Sequence, residues 1–153
     1  MASTFKLLPC DADGQPLGEL EPMPHALVEA CQQSAELYRR IGYHPPWVSY
    51  VAADGTRGVG GGAFVGAPRD GMAEIAYFTL PDFMQRGYAT LTARHLIDIA
   101  RRTSPQTVLR AFTLTEVNAS TKILERLGFG KAGVSQDPDA GEVWEWRLPA
   151  THR

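Results

Sequence analysis

Residues 74–102 read EIAYFTLPDFMQRGYATLTARHLIDIARR, and this stretch decides the fold. From Glu74 to Leu80 the residues alternate and are rich in β-branched and aromatic side chains, which predicts a strand. Pro81 and Asp82 end it. Gly87 stands where a helix is about to begin, and Ala89, Ala93, Leu96, Ile97 and Ala100 then fall on one face at helical spacing. Arg94, Asp98, Arg101 and Arg102 occupy the other face. A helix whose first turn points unpaired N–H groups at the end of a strand is an anion site. Gly87 carries no side chain, so phosphate oxygens can approach the backbone closely. The expected ligand group is a pyrophosphate on the amides of Gln85, Arg86, Gly87, Tyr88, Ala89 and Thr90.

Strand, Pro-acidic turn, RGYAT and helix together resemble the acyl-CoA-binding motif of the GNAT acetyltransferases. The branch that acetylates ribosomal-protein N-termini and related amines is the most similar in flavour. The family's turn reads Gln/Arg-x-x-Gly-x-Gly/Ala. Here Met84-Gln85-Arg86-Gly87-Tyr88-Ala89 matches at Gly87 and Ala89 and carries Met84 at the first position, which removes one side-chain donor and leaves the backbone amides. A second segment, 118–129, reads NASTKILERLGF and is similar to the family's Asn-x-x-Ser-x-Arg-Val-Leu-Glu-Lys-Leu-Gly-Phe pattern. From Ser120 onward the fit is close. The Asn is displaced by one: Val117 occupies its family position and Asn118 stands beside it.

The 153 residues fit one domain large enough to bury a core. A net charge of -2 gives no basic field pointing to nucleic acid. Cys10 and Cys31 are the only cysteines and lack CxxC spacing, so free thiols in a reducing compartment are expected. No apolar run approaches the ~20 residues of a membrane span, and the N-terminus lacks a signal pattern. These features lead to the expectation of a cytoplasmic protein with no membrane partner. A homodimer is the expected oligomer for a small enzyme.

Residues 5–9 predict a first strand and 11–14 a turn; 15–20 form either a second hairpin arm or a loop. A helix is expected over 25–41, with Leu27, Cys31, Ser34, Tyr38 and Ile41 as its stripe and Gly42 just past its end. Residues 48–53 and 57–65 predict a hairpin turning at Asp54-Gly55. Gly58, Gly60, Gly61 and Gly62 lie in its second arm. Strand glycines mark a bulge or close backbone approach, and without a following Lys-Ser/Thr they do not make a phosphate-binding P-loop. After 74–102, Ser104-Pro105 stop the helix. Strands are expected over 108–114, 130–135 and 142–148. A short helix is expected over 119–127, with Asn118 as N-cap and Ser120, Leu124 and Leu127 inward. The element order is that of the GNAT fold, so the resemblance implies an α/β (α+β) domain spanning 1–153. Its sheet would be mixed and mostly antiparallel, of six to seven strands, with helices on both faces and a splay between 74–80 and 108–114.

The resemblance implies direct transfer of the acetyl group of acetyl-CoA to a primary amine, on a protein N-terminus or a small molecule. Backbone groups at the splay would pair with the pantetheine arm, to which Asn118 also belongs in the family. An N–H among Phe78, Thr79 and Leu80 would hold the thioester oxygen, a fixed donor where negative charge develops. An amine is protonated at neutral pH, with a pKa of about 8 for an α-amine and about 10.4 for lysine. Glu74 is the candidate base and Ser120 the candidate proton donor to the leaving thiolate, against the alternatives of an exposed strand-end Glu and a helix-start hydroxyl. His25, His44, His95 and His152 show no metal spacing, and no metal is expected. His44, Tyr43, Trp47 and Phe83 are candidates for the acceptor wall, against the alternative of core packing. The alternative function is a CoA-binding regulatory or partner-binding module without turnover.

Overall fold

The computed structural model describes residues 4–151; His152 lies outside them. In chain order the elements are β1 (Phe5–Pro9), α1 (His25–Ile41), β2 (Ser49–Asp54), β3 (Arg57–Phe64), β4 (Met72–Thr79), α2 (Tyr88–Thr103), β5 (Val108–Leu114), α3 (Ala119–Arg126), β6 (Gly130–Asp137) and β7 (Gly141–Leu148). The strands form one sheet in the order β1-β2-β3-β4-β5-β7-β6. Every neighbouring pair is antiparallel except β4 and β5. This is the mixed, mostly antiparallel α/β arrangement expected from the sequence. No helix among the described residues is long and apolar enough to cross a membrane.

α1 begins after Pro24, whose extended backbone cannot continue a helix backward, and ends at Gly42 with φ 91°. Its buried stripe is Leu27, Cys31, Ala35 and Tyr38. The expected Ser34 and Ile41 are not its centre. Ser34 lies at the edge, where its hydroxyl reaches the Ala30 carbonyl at 3.0 Å and the Ser49 hydroxyl at 2.8 Å. Ile41 is exposed, in the last turn before Gly42 redirects the chain. Over 15–20 no regular strand forms; the segment folds back through a single antiparallel bridge between Pro16 and Cys10. The Asp11 carboxylate accepts the N–H groups of Asp13 and Gln15, both at 2.9 Å, and curls the segment into a loop.

The glycines of β3 serve packing. The register of β2 on β3 slips between Ala52 and Ala53, so Val59 is an extra residue that switches the faces on either side of it. Gly58 therefore looks toward Leu27 of α1, whereas Gly62 looks toward Thr92 and Leu96 of α2, where a Cβ would come within 2.6 Å of Thr92 Cγ2. Without side chains here, α1 and α2 close onto opposite faces of the same strand. The hairpin loop is Gly55-Thr56, one residue later than expected, because Asp54 pairs with Arg57.

In α2 the buried residues are Thr92, Ala93, Leu96 and Ala100. Thr92 takes the place expected for Ala89 because its hydroxyl is satisfied by the Tyr88 carbonyl at 2.8 Å. β4 and β5 share three rungs: Met72–Val108, Ala73–Leu109 and Glu74–Arg110. Beyond Glu74 the strands diverge. β4 keeps β3 on its other side to Thr79, and β5 keeps β7 to Leu114. The expected splay is this divergence.

Candidate active site

A cleft of about 550 Å³ lies between the end of β4, the start of α2 and the first turns of α3. Its α2 side is an uncapped helix tip. Gly87 is the N-cap with φ 85°, and no side chain caps the helix. Leu91 N–H is bonded to the Gly87 carbonyl at 3.1 Å, which leaves Tyr88, Ala89 and Thr90 N–H ahead of the first helical acceptor. Gln85 also sits at positive φ, 64°. A Cβ built on Gly87 would meet nothing within 4 Å, so the tip is open to an incoming group. Tyr88 anchors the tip: its hydroxyl donates to the Asp54 carboxylate at 2.6 Å, and its ring stacks on Phe5.

The sheet side of the cleft follows from the register. Leu80 N–H donates to the Val59 carbonyl at 2.8 Å, and Val65 N–H donates to the Glu74 carbonyl at 2.9 Å. Even-numbered positions of β4 thus turn their backbone groups to β3, and odd-numbered ones turn theirs to β5. Past the last rung, Tyr77 and Thr79 point backbone groups into the splay with no strand opposite. Of the three expected donors, Thr79 faces the gap. Leu80 is spent on Val59 and buried in the core, and Phe78 faces β3. Tyr77 was missed; strand parity would have found it once the β3 register was known.

Among the expected residues, Phe78, Thr79, Gln85, Gly87, Tyr88, Ala89, Thr90 and Ser120 line this cleft. Arg86 does not; its guanidinium lies 5.6 Å from the Phe83 ring centroid, at the rim. Asn118 does not either. Its side-chain oxygen accepts Thr121 N–H at 3.1 Å while Thr121 Oγ1 accepts Asn118 N–H at 2.9 Å, a reciprocal capping box. That box turns Thr121 and Leu124 inward. Ser120 is consequently exposed to the cleft rather than on the inward face expected for it. Ser120, Ile123 and Arg126 follow at three-residue spacing along the cleft wall. Arg126, a cation facing this cleft, was not singled out from the sequence, although that spacing was visible. Phe83 and the exposed Met84 form an apolar lip on this cleft.

A second cavity, of about 260 Å³, lies between α1 and the opposite face of β2, β3 and β4. It shares Tyr77 and Phe78 with the first. The loop at 43–47 lines neither cavity. Trp47 packs edge-on to Phe64, and Tyr43 donates to the Cys10 carbonyl at 3.0 Å and packs on Tyr38; both serve the core, and His44 is exposed on the loop.

Glu74 is half-buried at the last rung of β4 and β5, on the strand face that also carries Ala76 and Phe78. Ala76 is two positions further on, about 7 Å along the strand. Burial pushes its carboxyl above the ordinary Glu value; Arg110 opposes the shift, and Asp137 and Glu145 add to it. Tyr77 Oη is buried with no hydrogen-bond partner among the described residues, and burial pushes the phenol up to about 12. Among the described residues no three His, Cys, Asp or Glu side chains are gathered to hold a metal ion.

A family model described as an acetyltransferase (GNAT) domain matches residues 15–130. No curated protein sequence matches the chain. The structure is similar to a ribosomal-protein-S5-alanine acetyltransferase from Vibrio fischeri, with TM-score 0.72, 16% identity and coverage of 98% of this chain and 95% of that one. It is similar to RimL, a ribosomal L7/L12 α-N-protein acetyltransferase in complex with coenzyme A, with TM-score 0.69, 16% identity and coverage of 97% and 96%. It is also similar to a spermidine N-acetyltransferase SpeG chimera from Vibrio cholerae and hSSAT, with TM-score 0.68, 16% identity and coverage of 96% of each chain. At such identities the likeness speaks for the fold.

Proposed function

The chain belongs to the GNAT acetyltransferase family, and from that premise we propose that it moves the acetyl group of acetyl-CoA directly onto a primary amine. The observation that carries this reading is the junction of two cavities at Tyr77 and Phe78. One has an open helix tip suited to a diphosphate, and the other lies across the strand. A neighbour of the same fold is described with coenzyme A bound. The uncapped amides of Tyr88, Ala89 and Thr90 fit the pyrophosphate. The backbone of Tyr77 and Thr79 fits the amide-bearing pantetheine arm, and Arg126 adds positive charge beside an anionic ligand.

In the proposed reaction an ammonium acceptor first gives one proton to Glu74 through intervening water, since Glu74 lines neither cavity. Its nitrogen then forms a C–N bond with the acetyl carbonyl carbon while the C–S bond breaks. The second nitrogen proton is relayed, through the Ser120 hydroxyl in the cleft wall, to the departing thiolate as the amide forms, so Ser120 gives one proton and takes one back. An N–H of Thr79 or Tyr77 would steady the negative oxygen. Much of the acceleration would come from holding the two reactants together at the junction. The raised Glu74 carboxyl supports its role as base, because a base acts best when its pKa lies nearer the working pH.

Isothermal titration with acetyl-CoA, followed by thiol release over an amine panel, tests the reading. Micromolar binding with amine-dependent release is expected; no binding at millimolar ligand overturns it. A CoA-binding module without turnover is favoured by one observation, the commitment of Asn118 to its helix cap. Binding without release on any amine would select it.

A further inference from the structure

Resting on the acetyltransferase reading, we propose that the cavity beneath α1 receives the acceptor, and that it selects a primary amine on a compact, uncharged, largely apolar body. Polyamines and extended peptide N-termini would be poor acceptors.

The cavity exists because its floor is made of very small residues. Gly61, Ala63 and Ala76 lie on the α1 face, with Gly61 opposite Phe78 and Ala63 opposite Ala76 in the register. The alternation of β4 places Phe78, 40% exposed, at one end of this floor. A Cβ on Gly61 would sit 2.7 Å from Phe78 Cε1, so the missing side chain lets that ring lie low against the strand. Leu27, Cys31 and Leu37 of α1 form the roof. Ala76 is exposed although it lies in an internal strand, because α1 leaves that part of the sheet uncovered.

No Asp, Glu, Lys or Arg lines the cavity. A second or third ammonium of a polyamine would lose its water there and find no carboxylate in exchange. The polar lining that exists is neutral: Gln33 at the rim, and Ser34 hydrogen-bonded to Ser49 at 2.8 Å. β2 and β3 are paired on both sides, and the open edge of β4 past Glu74 is the one proposed above for the pantetheine arm, so with that arm bound no strand edge is left with which an extended peptide could pair. The volume of about 260 Å³ falls just below the roughly 300–1,000 Å³ of drug-sized ligand pockets and suits a smaller body. Glu74 lies on the same strand face as Ala76 and Phe78, so an amine projecting from the Phe78 end would share its face with the proposed base.

The experiment measures thiol release at saturating acetyl-CoA for phenethylamine and isoamylamine, spermidine, and a peptide with a free N-terminal alanine, beside acetyl-CoA affinity by calorimetry. The apolar amines should exceed spermidine and the peptide in kcat/KM by about a hundredfold, the scale set by desolvating an unpaired charge. Ala76→Leu fills the exposed floor and should raise KM for the apolar amine about tenfold, as overpacking would, with acetyl-CoA affinity unchanged. Ala30 of α1 also lines the cavity, across from Ala76, so Ala30→Leu is the second variant and should act alike. Spermidine or peptide turnover equal to or better than the apolar amines overturns the proposal. So do folded variants with unchanged KM, or acetyl-CoA binding with no release from any amine. Failure of wild-type protein to bind acetyl-CoA is a separate result, which removes the acetyltransferase reading itself.

Discussion

Glu74 stands opposite Arg110 on the last rung that joins β4 to β5, at the point where the two strands part. A carboxylate there has lost much of its hydration, and Arg110 restores only part of what burial removes. Because the folded state raises this pKa, it binds more protons than the unfolded chain as pH climbs from the unfolded value toward the folded one. Stability from this group is therefore present at low pH and declines as pH rises through that window. Glu74→Gln should leave the melting temperature at pH 7–8 equal or slightly higher. It should also lower kcat and abolish the rise of rate with pH that belongs to this carboxyl. An unchanged pH–rate profile would dismiss Glu74 as base.

Gly87→Ala tests the helix tip. Its φ of 85° places an L-residue in the left-handed region, at a cost of about 1–2 kcal/mol. The new methyl meets nothing inside the protein, so its steric effect falls on the ligand. A lower melting temperature together with about tenfold weaker acetyl-CoA binding is expected, roughly 1.4 kcal/mol. Calorimetry showing unaltered affinity in folded variant protein would place the diphosphate elsewhere.

Asn118→Ala separates two roles that the sequence left together. If the capping box is its whole function, stability should fall by about 1 kcal/mol, with acetyl-CoA affinity constant. A tenfold affinity loss (~1.4 kcal/mol) with intact stability would restore the pantetheine contact.

Tyr77→Phe removes a buried hydroxyl that has no partner among the described residues. Burying such a group unpaired costs about 1–3 kcal/mol. Chemical denaturation should therefore show the variant to be as stable as the parent or more so. A loss of stability would mean that the hydroxyl has a bond in solution.

The parts legible in the sequence were those with local punctuation. β1, α1 and β5 have the expected bounds because Pro, Gly or a Ser-Pro pair frames each of them. The helix tip was legible for the same reason, since Gly87 acts on its own neighbours. What was misjudged depends on which way a face turns. Ser120 was assigned inward, but the Asn118–Thr121 box rotates α3 so that Thr121 takes that place. Leu80 was offered as a free donor, but Val59, reached only through the β3 register, occupies it. The cavity under α1 had no linear signature. Gly61, Ala63 and Ala76 become a floor only when two strands set them side by side.

The three rungs between β4 and β5 bear on how the molecule holds together. On either side of that seam the strands are zipped along most of their length, so thermal opening should concentrate there, with Tyr77 and Thr79 amides among the quickest to exchange with deuterium. A guest with alternating amide groups, laid into the seam, would act as an eighth, removable strand and stitch the two halves of the sheet for as long as it stayed.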